Sequence, residues 1–159
     1  MTAYDFTADD VFELAEDIEV NGLEFYKNAA AKVADQSHKK LLLDLADMEL
    51  THKKIFEGMR KDLAGMEKQE TVFDPEGDAA AYIKALADIR VFFEKEIDTS
   101  SMEEILKAAI TAEKDSIVLY TGMKEFVPEK YGKNRLDNII KEEMGHIRLL
   151  SRELKKLKA

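Results

Sequence analysis

Cysteine is missing altogether from this 159-residue sequence. Its absence excludes disulfides, thiolate-held iron–sulfur clusters and a thiol nucleophile, and it fits a reducing cytoplasm, the compartment expected here. Positive charge is also short. Lys and Arg number 24 against 33 Asp and Glu, for a formal net charge of −9, which argues against a nucleic-acid partner. No apolar run is long enough to cross a bilayer. The opening residues, with Asp5, Asp9 and Asp10, lack the basic and apolar regions of a secretory leader, so no membrane partner is expected. Proline occurs twice and glycine seven times. With many Ala, Glu, Lys and Leu, that scarcity favours helix. The length suits one domain with a sizeable core.

What is present is an internal repeat, which takes precedence over residue-level reading. Glu49-Leu50-Thr51-His52 and Glu143-Met144-Gly145-His146 both read Glu-x-x-His. Upstream of each stands a Glu with a Tyr seven positions later: Glu19 with Tyr26, and Glu113 with Tyr120. Positions 19, 26, 49 and 52 thus recur 94 positions later, at 113, 120, 143 and 146. Apolar residues follow the same offset, as in Val11/Ile105, Phe12/Leu106, Ala15/Ala109, Leu42/Leu136 and Phe56/Leu150. The offset also sorts neighbouring acids. Glu16 and Glu24 map to Ile110 and Val118, which makes them poor ligand candidates, whereas Glu19 maps to Glu113.

Helix-period seams run through both copies. Thr7 can cap a first helix, with Asp10 in a capping-box position, and Phe12, Ala15, Glu19, Gly22, Tyr26, Ala29 and Val33 form its seam. Residues 34–37 make a turn, with Ser37 a candidate cap for a second helix whose seam is Leu42, Leu45, Glu49, His52, Phe56, Met59 and Leu63. Pro75 and Gly77 break the pattern. A segment from Ala79 to about Glu96, with Tyr82, Ile83, Leu86, Ile89, Phe92 and Phe93, is helical again but has no counterpart in the repeat. Ser100 and Ser101 ahead of Glu103 and Glu104 form a second capping signature. Leu106, Ala109, Glu113, Ser116, Tyr120, Met123 and Val127 then form a third seam. After a turn from Pro128 to Gly132, Leu136, Ile139, Glu143, His146 and Leu150 form the fourth. The expected fold is all-α: a four-helix bundle of two repeated antiparallel hairpins, residues 7–65 and 101–158. A crossover over 66–100 containing a short extra helix joins them within a single domain spanning 1–159.

Register sharpens this. In an antiparallel hairpin, residues equidistant from the turn face each other. The midpoint of Glu19 and Glu49 is residue 34, and that of Glu113 and Glu143 is residue 128. Each Glu therefore lies roughly 22 Å along its helix from a turn, at 1.5 Å per residue, so all four meet at one level. Each His lies one turn from its Glu on the same face.

Four carboxylates and two imidazoles make an oxygen-rich, nitrogen-containing site. Without thiolate, copper(I) and structural zinc fit poorly, and calcium prefers more oxygens and a loop. A pair of iron or manganese ions suits it, since four Glu charges neutralise two divalent cations in a low-dielectric core. A single Glu or His on such a seam is most simply a satisfied core polar group. Six at symmetric positions would be four buried acids with too few cations to pair them, which is costly. His38 reads as a surface residue, Met48, Met59, Met66, Met102, Met123 and Met144 as core or rim fillers, and Lys155 to Lys158 as a solvated helix end.

On these motifs the chain resembles the ferritin-like superfamily, whose di-iron and di-manganese members use this ligand set, and within it the rubrerythrin-like proteins. The resemblance implies bridging roles for Glu49 and Glu143, terminal ligation by Glu19 and Glu113, and one metal completed by each of His52 and His146. It casts Tyr26 and Tyr120 as hydrogen-bond donors to ligand carboxylates across the bundle. It also implies two iron ions, a small oxidant, a separate electron donor such as a rubredoxin-type protein, and a homodimer. Ser116 stands where rubrerythrins carry a further glutamate, with Gly22 as its repeat mate, so the six-ligand set is closer to that of bacterioferritin. Leu50 replaces bacterioferritin's haem-binding Met, so no haem is expected. No fifth helix of a cage subunit is expected after His146, and no rubredoxin domain is expected. Three functions follow as alternatives: a di-iron peroxidase or oxidase, an iron-oxidising or iron-binding protein, and a bundle with a non-catalytic metal site.

Overall fold

Four long helices carry the two halves of the repeat. The computed structural model describes residues 8–63, 78–89, 98–127 and 129–159. Helices α1 (Ala8–Lys32) and α2 (Gln36–Leu63) form the first hairpin, and α4 (Met102–Phe126) and α5 (Lys133–Lys158) the second. Between them lies a shorter α3 (Asp78–Ile89), and a single 3-10 turn (Glu129–Tyr131) precedes α5. No strand occurs among the described residues. Thr7, Pro75, Gly77, Phe92, Phe93, Pro128 and the expected helix beyond Ile89 lie outside them.

Local chemistry sets the helix starts. Asp35, rather than the expected Ser37, caps α2. Its Oδ1 accepts from the backbone N–H of Ser37 and of His38, both at 2.9 Å, and from Ser37 Oγ at 2.6 Å. A carboxylate two residues earlier reaches two orphan N–H groups at once and complements the helix dipole, which a hydroxyl at position 37 cannot do. Ser101 caps α4 as its sequence signature requires, accepting from Glu104 N at 3.2 Å. At the start of α5 stands Gly132 with φ +113°, a left-handed conformation. A Cβ there would meet Met59 Cε at 2.8 Å. Gly132→Ala is therefore expected to cost about 1–3 kcal/mol of backbone strain, seen as a lower thermal midpoint with metal content unchanged.

Every neighbouring pair in the bundle is antiparallel. Tyr26 of α1 reaches Glu113 of α4 while Tyr120 of α4 reaches Glu19 of α1, so those helices run in opposite directions. The same holds for α2 and α5, where His52 meets Glu142 and Met48 meets His146. Helix α3 lies on α4 at Gly122, where a Cβ would fall 2.5 Å from the Tyr82 ring; only glycine allows that approach.

Two apolar clusters fill the interior. One gathers Val11, Phe12, Phe56, Met59, Ile83, Leu119, Met123, Leu136 and Ile139. The other gathers Phe25, Ala29, Leu42, Leu45, Ile105, Leu106 and Leu150. Each large side chain buried there contributes about 1.5–3 kcal/mol. Their sum offsets the polar layer between them, where four glutamates and two histidines are buried. No helix among the described residues is long and apolar enough to cross a membrane.

Candidate metal centre

Every long helix contributes to the polar layer. Glu19 comes from α1, Glu49 and His52 from α2, Glu113 from α4, and Glu143 and His146 from α5. All six are at most 4% exposed. Their ligand atoms fall into two sets, each within 4.8 Å: Glu19, Glu49, His52 and Glu143, and Glu49, Glu113, Glu143 and His146. Glu49 and Glu143 belong to both. Each set offers three carboxylates and one imidazole.

Both imidazoles turn Nδ1 inward. His52 Nδ1 lies 3.2 Å from Glu143 Oε1 and 3.5 Å from Glu19 Oε2. His146 Nδ1 lies 2.9 Å from Glu143 Oε2 and 3.3 Å from both Glu49 Oε1 and Glu113 Oε1. The rings stack with centroids 5.6 Å apart. Around this point seven buried atoms make no aligned hydrogen bond: Glu19 Oε2, Glu49 Oε1, Glu113 Oε2, both Glu143 oxygens and the two Nδ1 atoms. Buried polar atoms are normally paired, and each orphan costs about 1–3 kcal/mol. Orphans that converge on one point are what a cation site requires, and the donor set of hard oxygens with two imidazoles fits iron or manganese.

Two tyrosines fix the outer carboxylates. Tyr26 Oη donates to Glu113 Oε1 at 2.6 Å, and Tyr120 Oη donates to Glu19 Oε1. Burial first, and then the neighbouring glutamates, push both phenols well above their usual range. They therefore stay protonated and serve as donors.

Without cations the layer holds protons instead. Burial, and then the charges of Glu19, Glu143 and Glu113, raise Glu49 well above the usual carboxylate range. Burial and the Glu143 charge push Glu113 up to about 8. Burial works the other way on the histidines, but their adjoining carboxylates prevail and push His52 up to about 11 and His146 up to about 12. Burial alone would raise Glu143, yet the two histidines and Glu113 hold it below the usual range. A central carboxylate flanked by two imidazolium rings stands in for a carboxylate between two metal cations.

The family profile described as rubrerythrin matches residues 10–154. The chain belongs to the rubrerythrin family. No curated protein matches it. The fold is similar to the crystal structure of a proposed ferritin-like diiron-carboxylate protein from Thermotoga maritima, at 24% identity and a TM-score of 0.67, covering 94% of this chain and 95% of that one. Within this rubrerythrin-family bundle, Ser116 is buried but its Oγ donates to Ala112 O at 3.1 Å. It turns back on its own helix and adds no ligand. Glu16 and Glu24 lie away from the centre: Glu16 pairs with Arg60 and Glu24 is exposed.

Sequence reasoning passed over Glu142 and read Met48 only as a core or rim filler. Glu142 Oε2 sits 2.6 Å from His52 Nε2, and Met48 Sδ sits 3.0 Å from His146 Nε2. The available signal was their place immediately before the Glu of each Glu-x-x-His. Met48 also lines, with Thr51, Glu142, Gly145, His146 and Leu149, a cavity of about 390 Å³ between α2 and α5.

Proposed function

We propose that this protein binds two iron ions in the Glu/His layer and reduces hydrogen peroxide there, using electrons from a separate donor. The observation that carries the reading is the pair of four-residue ligand sets that share Glu49 and Glu143. In this reading those two would be shared by both ions, Glu19 with His52 would complete one and Glu113 with His146 the other, and manganese is the other cation the donors suit. Iron held there would supply two electrons, one per ion, which with two protons would convert one peroxide to two waters. The chain's own residues do the rest. Tyr26 and Tyr120 hold Glu113 and Glu19 in place. The flanking apolar clusters keep bulk water from the layer, and the cavity beside His146 admits a small oxidant. The 159 residues hold no cysteine, so the electrons come from a partner such as a rubredoxin-type protein. A reducing cytoplasm and a homodimer complete the proposal, the latter checked by light scattering.

Ser116 favours a second reading. With its hydroxyl committed to Ala112 and no seventh ligand among the described residues, the set is closer to that of a bacterioferritin-like iron oxidase. Stopped-flow oxidation of anaerobic, iron(II)-loaded protein separates the two. Peroxide should react faster than an equal concentration of oxygen. A clearly faster reaction with oxygen would set aside the peroxidase reading in favour of oxidase or iron-oxidation chemistry.

A further inference from the structure

The repeat is nearly symmetric at the centre. Each ligand set has three carboxylates and one imidazole, and each outer carboxylate has one tyrosine donor. The symmetry fails behind the histidines. Glu142 and Met48 are equivalent under the 94-residue offset, and each lies on the Nε2 atom of the histidine contributed by the opposite hairpin. One partner is a charged carboxylate and the other a thioether.

We infer that the two halves of the centre bind metal unequally: the Glu19–Glu49–His52–Glu143 half takes a divalent ion more tightly, and the Glu49–Glu113–Glu143–His146 half takes it more weakly. This rests on the metal-binding part of the proposed function and deepens it. A neutral imidazole that ligates through Nδ1 carries its proton on Nε2. At His52 that proton is donated to Glu142, which fixes the tautomer and ring orientation and makes Nδ1 a stronger donor. At His146 it faces Met48 Sδ, a weak acceptor without charge. Removing an outer partner of a metal-bound histidine usually costs 10–100-fold in affinity. Glu142 is 58% exposed, and solvent screening places its effect at the lower end, about tenfold. The weaker half is also the open one. His146 lines the cavity between α2 and α5, together with Thr51, Gly145 and Leu149, so ions are exchanged there first.

The test is a calorimetric titration of the metal-free full chain with Mn(II), with free Mn(II) followed by electron paramagnetic resonance. Wild type should show two classes of one ion each, about tenfold or more apart. Glu142→Met should weaken the tight class until the two merge. Met48→Glu should merge them from the other side by tightening the weak class. Glu142→Gln keeps an acceptor and should fall between wild type and Glu142→Met. The swap Met48→Glu/Glu142→Met should restore two classes, with the tight one now lost in His146→Ala rather than in His52→Ala. Both swapped positions are on the surface, so unchanged melting of the metal-free variants separates these effects from misfolding. Two ions bound in one class by wild type, or an unchanged spacing in both single variants, would overturn the inference alone. No Mn(II) binding at all would overturn it together with the metal-centre reading.

Discussion

Metal-free protein given Mn(II) or Fe(II) at a thousandfold excess over its dissociation constant should melt roughly 8–16 °C higher than without metal. An ion that binds only the folded state adds about 4.1 kcal/mol per site at that excess, and each kcal/mol moves the midpoint of a chain this size by about 2–4 °C. The second, weaker site adds to this. The seven unpaired atoms of the layer give the reason for so large a response, because they are desolvated in the native state whether or not a cation is there to meet them. Glu49→Ala should weaken both ions, since Glu49 belongs to both ligand sets, while His52→Ala should mainly loosen one. In Glu49→Ala/Glu143→Ala the metal-induced shift should vanish. Elemental analysis showing unchanged metal in that double variant would mean that the site has been placed wrongly.

Much of this centre was legible before any coordinates, because two copies of one pattern constrain each other. A single Glu-x-x-His says little. The offset of 94 discarded Glu16 and Glu24, and the structure turns both away from the layer. Equal distances from two turns put four glutamates at one level, and all four are buried there. The cap of α2 was misplaced by two residues, since Asp and Ser both cap and only the geometry shows which oxygen reaches the free N–H groups. Glu142 went unseen, and Met48 was read only as a filler, for a different reason. Repeat logic rewards positions that match, and this pair does not match. Its partners lie across the bundle, so no periodicity along one helix points to them. Departures from an internal repeat at ligand-adjacent positions therefore carry information that the matching positions cannot.

Metal affinity should fall steeply as pH falls. In the metal-free layer His52 and His146 hold their protons up to about 11 and about 12, so near neutral pH both rings carry a proton on Nδ1 as well as on Nε2. Ligation needs Nδ1 bare, and each histidine must release one proton. Glu113, pushed up to about 8, and Glu49, raised well above the usual range, release theirs as well. Glu143 is held below the usual range and ionised already, so it adds nothing. A raised pKa in the metal-free state means that protons compete with the cation below that pKa, and the competition fades as pH rises through it. Two histidine protons alone make the overall two-ion constant drop about a hundredfold for each unit of falling pH, and the glutamate protons steepen that further. Mn(II) titrations at several pH values, repeated in two buffers of different ionisation enthalpy, would count the protons directly. A binding constant that does not change with pH, with no proton release, would show that the histidines sit neutral in the metal-free protein and that the layer does not hold protons in place of its cations.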